Sequence, residues 1–169
     1  IIRKCETDTP KTKCGRRAHV VFVLDSSGSM QWGGGAVQNV RDFVWTEAGY
    51  LADGSDIAIV EYNSRASTLA GFTRNLPDIY TALQTYEIGG MTNMEAGLVR
   101  AEELLDGKDG VRIIVLVCDG GSSPSSRVLK RIKDEKAIAI FAVGFGLANE
   151  NTLAAVASTP REIFTHFTP

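Results

Sequence analysis

The feature that most constrains this chain is a regular alternation between short apolar runs and stretches of helical period. Residues 20–24, 57–62, 113–117 and 138–143 have the length and composition of buried strands. The stretches between them carry apolar residues at steps of three and four, as amphipathic helices do. None of the runs approaches the ~20 residues that a membrane-spanning helix needs, so we expect no membrane span. Strands that alternate with helices in this way predict an α/β fold with mostly parallel strands.

Two further strands complete the predicted sheet. Residues 67–73 follow the strand at 57–62 after a short turn, too close for a crossover, so this pair should be antiparallel and end one edge of the sheet. Residues 163–167 form the last strand. We therefore expect a doubly wound, six-stranded sheet with one antiparallel edge strand and helices on both faces. The helices are predicted at 37–51, 77–83, 94–105, 127–136 and 151–157.

Residues 1–18 are interpreted as an N-terminal extension of a single domain at 19–169. The extension carries six basic and two acidic side chains, whereas the whole chain has a formal net charge of −2. An acidic remainder disfavours a nucleic-acid-binding domain. Cys5 and Cys14 bracket eight residues, a spacing that makes a local disulfide sterically easy. We expect that bridge, which implies an oxidising, extracellular or secretory compartment; the alternative is two free thiols.

Oxygen-bearing side chains gather at the ends of the predicted strands. Asp25 ends the first strand, and an extended backbone would turn Ser27 and Ser29 to the same side. Asp119 follows a later strand, and Thr92 lies in a glycine-rich loop ahead of a helix. Ligands of open α/β sheets bind beyond these carboxyl ends. Two carboxylates and three hydroxyls are hard ligands that predict Mg²⁺, with Mn²⁺ or Ca²⁺ as alternatives, rather than zinc.

The hydroxyl ligands also predict what the site does. Hydroxyls are neutral and weak ligands, so a cation held largely by them stays electron-poor. Such a cation should accept an anionic oxygen from outside, for example the carboxylate of an Asp or Glu on a partner protein. The ligand chemistry therefore favours binding over catalysis.

On these residues the chain resembles the von Willebrand factor type A domains, with their metal-ion-dependent adhesion site. The resemblance covers residues 19–167. It rests on the Asp-x-Ser-x-Ser motif at 25–29, on Thr92 in a Gly-Gly-Met-Thr-Asn loop, and on Asp119 in an Asp-Gly pair after an apolar strand. It implies direct metal contacts from Ser27 and Ser29.

The resemblance also implies roles for the remaining ligands. Thr92 would contact the metal directly or through water, and Asp25 and Asp119 often through water. Three departures stand out: Met91 directly precedes the threonine, Cys118 stands where a threonine is common, and the last helix of the family is missing after residue 167. Because displacement of that helix couples metal binding to affinity in integrin-like relatives, no such switch is assigned here.

The function that the resemblance implies is an extracellular adhesion or protein-binding module that acts at the cell surface or in the matrix. Its ligand contacts would be Ser27, Thr92 and Trp32, although Trp32 is equally suited to be a lid over the first helix. The second hypothesis is an intracellular type A domain that docks within a larger assembly, such as a chelatase or ATPase complex.

The hypothesis that this chain is an enzyme fits the sequence poorly. A dehalogenase-like phosphotransferase needs a second acid two residues after the first, where this chain has Ser27. A serine hydrolase would need a Gly-x-Ser-x-Gly elbow, which is absent around Ser27, and His19 precedes the strand that it would have to reach across. Cys118 is interpreted as an inert core thiol. The basic stretch at 127–136 predicts a solvated helix face, with glycosaminoglycan binding as its functional alternative.

Overall fold

A single sheet forms the centre of the computed structural model, which describes residues 18–31, 35–51, 53–146, 148–158 and 165–167. Six strands within these ranges form it in the order β3-β2-β1-β4-β5-β6, and neighbours are parallel except β2 and β3. The predicted fold class, with one antiparallel edge pair, is confirmed. The strands are β1 (Ala18–Asp25), β2 (Ser55–Tyr62), β3 (Ala66–Thr73), β4 (Val111–Cys118), β5 (Ala139–Gly144) and β6 (Thr165–Phe167).

Helices cover both faces of the sheet, as the sequence predicts. The core against α1 and α2 is separate from the core against α3, α4 and α5, because alternate strand residues point to opposite faces. The predicted basic helix differs in shape: it is α-helical to Lys130 and continues as a π-helical turn, Arg131–Glu135. The helices are α1 (Ala36–Leu51), α2 (Leu76–Gln84), α3 (Met94–Leu105), α4 (Ser126–Lys130) and α5 (Glu150–Val156).

The central strand β1 places the site. Its residues are buried on both faces: Phe22 packs in the α1 side of the core and Val23 in the α3 side. The chain winds from β1 towards β3 on one side and from β4 towards β6 on the other. The winding therefore reverses between β1 and β4, and the crevice at their carboxyl ends is where such folds bind ligands.

Both edges of the sheet are short or irregular. β3 pairs with β2 through register shifts on either side of Ile59, which mark a bulge. At the other edge β6 has three residues. Among the described residues no helix is long and apolar enough to cross a membrane. Three features predicted or interpreted above, the Cys5–Cys14 bridge, the role of Trp32 and the lack of a last helix, lie outside the described residues.

Helix α3 approaches the sheet closely at Gly97. A Cβ atom built on this residue would lie 2.6 Å from Cδ1 of Tyr62 and 2.9 Å from Cγ1 of Val23. Both neighbours are fully buried. A glycine is therefore required at this position, because any side chain would push α3 away from β1 and β2.

The basic stretch after β4 is mostly engaged in the fold. Arg131 makes two hydrogen bonds to the buried carboxylate of Glu102 on α3, at 2.7 and 2.5 Å. Lys136 pairs with Asp106 at 2.9 Å, and Nζ of Lys133 donates to three carbonyl groups at the end of α5. These bonds hold α3, α4 and α5 together. They leave few cations of this stretch for a polyanionic ligand.

We expect Gly97→Ala to lower the free energy of unfolding by about 1–3 kcal/mol, since overpacking a dense core costs that much. The matched control is Gly49→Ala in α1, where nothing lies within 4 Å of the added Cβ. That change should be stabilising by about 0.5–1 kcal/mol, because alanine is the better helix former. Urea unfolding of the three proteins makes the comparison. Equal stability of the two variants would contradict the close approach.

Stability should also fall at acid pH through Glu102. Its hydrogen bonds to Arg131 hold the pKa of this carboxyl below the ordinary 4.5. The stabilisation is therefore complete above that pH and is lost as the pH falls through the lowered pKa. Glu102→Gln should be less stable than the native chain at neutral pH, and urea midpoints should converge towards pH 3. Glu103→Gln, an exposed neighbour, serves as the control that should show no such convergence.

Candidate metal centre at the carboxyl ends of β1 and β4

The carboxylate of Asp25 is fixed at the end of β1 and is fully buried. Its Oδ1 accepts the backbone N–H of Ser27 at 2.9 Å, and its Oδ2 accepts the hydroxyl of Tyr62 at 2.9 Å. The hydroxyl of Tyr86 donates to the Asp25 carbonyl oxygen. Asp25 therefore cannot turn freely, and its role in any site is to orient and to supply charge.

The electrostatics of Asp25 favour a nearby cation. Burial raises the pKa of Asp25 above its ordinary value of 3.8, and the hydrogen bonds from Ser27 and Tyr62 lower it only in part. The negative charge of Asp119 raises it further. When hydrogen bonds offset only part of the cost of burying a carboxylate, a nearby positive charge stabilises its ionised form. The residues present therefore fit a divalent cation at this position.

Two serine hydroxyls meet after Asp25, and one of them belongs to Ser27, whose N–H Asp25 accepts. Oγ of Ser27 and Oγ of Ser29 lie 3.0 Å apart; Ser27 is buried and Ser29 is exposed. Their juxtaposition was expected from an extended backbone, but that reason was wrong. β1 ends at Asp25, and a 3-10 turn at Gly28–Gln31 brings Ser29 back towards Ser27.

Asp119 lies beside this pair, at the first position after β4. Its Oδ1 accepts the N–H of Gly121 at 2.8 Å. A Cβ atom on Gly121 would be 3.0 Å from this Oδ1 and 3.7 Å from Oγ of Ser29. The two oxygens thus border one small space that a glycine keeps open. The structure brings Asp25, Ser27, Ser29 and Asp119 together.

Thr92 lies in the loop between α2 and α3, which is tied to its neighbours. Gly28 N–H donates to the Gly90 carbonyl at 3.1 Å, and Met91 N–H donates to Oγ of Ser64 at 3.2 Å. Asn93 caps α3 through the N–H of Ala96. Within the described part of the chain, the half-buried side chain of Thr92 makes no hydrogen bond. Its hydroxyl is therefore available, because the capping role falls to Asn93.

Sequence reasoning missed the two tyrosines that hold Asp25. The register of the parallel pair sets Tyr62 at the end of β2 opposite Asp25, and Tyr86 comes from the loop after α2. One signal for Tyr62 was available in the sequence. The strand β2 ends in a tyrosine, and the neighbouring strand β1 ends in a carboxylate that its hydroxyl can bond. Both side chains are fully buried, so their hydroxyl groups need partners.

Two other side chains considered for catalysis, Cys118 and His19, are poorly placed for it. Cys118 is fully buried beside the hydroxyl of Tyr62, and burial raises the pKa of its thiol. His19 lies near the amino end of β1, 3.3 Å from a carboxylate oxygen of Asp56, at the opposite end of the strand from Ser27. Among the described residues no three His, Cys, Asp or Glu side chains cluster as a metal site. The candidate site therefore depends on hydroxyl groups.

Curated proteins that are similar to this chain include two long chains. Inter-alpha-trypsin inhibitor heavy chain H1 of Mesocricetus auratus is 25% identical over 156 residues, covering 81% of this chain and 17% of that protein. Collagen alpha-1(XX) chain of Homo sapiens is 26% identical over 168 residues, covering 88% of this chain and 12% of that one. The chain thus spans less than a fifth of the length of either relative.

A solved structure shows the same fold. Proximal thread matrix protein 1 from the mussel byssus, with zinc in its MIDAS motif (the metal-ion-dependent adhesion site), superposes with a TM-score of 0.77 at 23% identity; the match covers 90% of this chain and 41% of that one. The model of the von Willebrand factor type A domain matches residues 19–169. With the parallel sheet, the reversal beside β1 and the family model in agreement, this chain belongs to the von Willebrand factor type A domain family.

Proposed function

We propose that this domain is an extracellular adhesion or protein-binding module that holds a divalent cation and uses it to bind an acidic side chain of a partner. The observation that carries the proposal is the pair of serine hydroxyls, 3.0 Å apart, next in the chain to the buried carboxylate of Asp25, which bonds the N–H of Ser27. Ser27, Ser29 and Thr92 would hold the cation, with Asp25 and Asp119 beside them.

Each residue has a separate task in this proposal. The exposed hydroxyl of Ser29 faces the solvent and marks the side from which a ligand arrives. Asp25 holds Ser27 in place through its backbone N–H, and Asp119 adds the second negative charge at the rim. When bound, a cation such as Mg²⁺, Mn²⁺ or Ca²⁺ supplies positive charge with positions open to an anionic oxygen. Mg²⁺ is the cation we favour.

The partner we propose is a protein with an exposed Asp or Glu, in the extracellular matrix or at the cell surface. The family members matched here include a collagen chain and a byssus thread matrix protein, which support a matrix setting. Trp32 remains a proposed ligand contact. A glycosaminoglycan is a weaker candidate, because Arg131, Lys133 and Lys136 already bind groups of the fold.

A catalytic role is not part of the proposal. Both carboxylate oxygens of Asp25 accept hydrogen bonds and the residue is fully buried, so it is poorly placed to attack a phosphorus atom. The thiol of Cys118 is buried, with a raised pKa, and is a poor nucleophile.

Cation binding should raise the melting temperature. At about ten times its dissociation constant, a cation adds about 1.4 kcal/mol, which corresponds to roughly 3 °C for a chain of this size. Thermal unfolding in EDTA and in Mg²⁺, Mn²⁺ or Ca²⁺ measures the shift. Ser29→Ala should abolish it without altering the melting temperature in EDTA, because the side chain is exposed.

The matched control for that experiment is Ser126→Ala, an exposed serine at the start of α4. It should keep the full shift. The proposal is wrong if no cation stabilises the native chain, or if the Ser29→Ala variant is stabilised as much as the native one.

The compartment can be tested through the cysteines. If Cys5 and Cys14 are bridged, alkylation of the denatured, unreduced protein should label Cys118 alone, and reduction should expose all 3 thiols. Mass spectrometry of natively purified protein reads the result. Labelling of all three cysteines before reduction would favour the intracellular docking module instead.

A further inference from the structure

The loop that carries Asp119 is fastened to the first turn of α3. The backbone N–H of Ser125, at the end of this loop, donates to Oε2 of Glu95 at 2.6 Å. The N–H of Met94 donates to Oγ of Ser122 in the same loop at 3.1 Å. Two bonds therefore join the segment after β4 to the start of α3.

The bond to Glu95 is the stronger of the two. It pairs a carboxylate with a backbone N–H, and such charge-assisted bonds are shorter and roughly twice as strong as neutral ones. Ser125 is the N-cap of α4, so no carbonyl within that helix accepts its N–H. The same amide holds the pKa of Glu95 below its ordinary value. Glu95 is thus a side-chain anchor for the end of the loop.

The loop between its two ends starts with a turn at Asp119, whose Oδ1 accepts the N–H of Gly121. It contains Gly120, in the left-handed region at φ +75°, followed by Gly121. On its far side, the Asp119 carbonyl accepts the N–H of Asn149 at 2.7 Å. Contacts outside the loop therefore help to hold Asp119 in place, and on the α3 side these are the bonds made by Glu95 and Met94.

Glu95 also follows Thr92 by three residues, at the second position of α3. Thr92 directly precedes Asn93, the N-cap of α3, and Glu95 bonds the end of the Asp119 loop to the first turn of that helix. We propose that Glu95 is a positioning residue that sets the spacing between Thr92 and Asp119 and thereby the affinity for the cation. This inference rests on the proposed cation site.

The test compares Mn²⁺ binding by titration calorimetry for the native chain, Glu95→Ala and Glu95→Gln. Glu95→Ala should bind Mn²⁺ about tenfold more weakly, the lower end of the range for lost outer partners of metal sites. Glu95→Gln should stay within about threefold of the native chain, because an amide oxygen can accept the same hydrogen bond.

A matched control and a metal-free measurement distinguish a residue that positions the cation site from one that only stabilises the fold. Glu103→Ala removes an exposed glutamate of the same helix whose carboxylate pairs with Arg100, and this variant should bind Mn²⁺ like the native chain. In EDTA, hydrogen exchange of the segment 119–125 should be faster in Glu95→Ala and unchanged in Glu95→Gln.

The outcomes are distinct. Native-like Mn²⁺ affinity in Glu95→Ala overturns the positioning role and leaves the cation site intact, even if that variant melts at a lower temperature. An affinity lost equally in Glu95→Gln also overturns it, because the hydrogen bond would not be the cause. Failure of the native chain to bind Mn²⁺ overturns the proposed function, and this inference with it.

Discussion

The buried carboxylate of Asp25 holds together the groups at the carboxyl ends of β1 and β2. A charge out of contact with water is costly unless hydrogen bonds compensate it. Two separate elements meet that need: Tyr62 from β2 bonds the carboxylate, and Tyr86 from the loop after α2 bonds the backbone carbonyl. The compensation is incomplete, since the pKa of Asp25 stays raised. The fold thus keeps a site that favours positive charge.

Two of the side chains grouped with Asp25 add no formal charge to it. Ser27 and Ser29 bring oxygen atoms without a formal charge, and Asp119 at the rim is the second acid. The loops that carry these groups are bonded to one another: Gly28 binds Gly90, and the Asp119 loop binds the first turn of α3. A set of weak ligands can work only if its spacing is held by the scaffold.

Much of the fold could be predicted from the sequence, because apolar periodicity reports directly on burial. The helix Met94–Leu105 and the antiparallel pair β2–β3 agree with their predictions to within a residue or two. The π-helical turn that begins at Arg131 was not predicted, nor was the bond of Arg131 to a carboxylate of another helix. Contacts between elements distant in sequence leave no local pattern.

The residues of the candidate site also fall into those that the sequence predicted and those that it did not. Asp25, Ser27, Ser29 and Asp119 could be predicted as a group because strand ends can be recognised in the sequence, and the structure brings them close together. Their supports were missed: Tyr62 and Tyr86 act from other elements. The turn that unites the serines was also misassigned, because a 3-10 turn and an extended end share the same Asp and Ser composition.

The irregular edges of the sheet have a consequence for a domain whose relatives are much longer chains. A straight, long edge strand would offer unpaired N–H and C=O groups to any neighbouring sheet. Here one edge is interrupted by the bulge around Ile59, and the other is the three-residue β6. Among the described residues, neither edge therefore offers a long, regular run of unpaired backbone groups to the sheet of a neighbouring molecule.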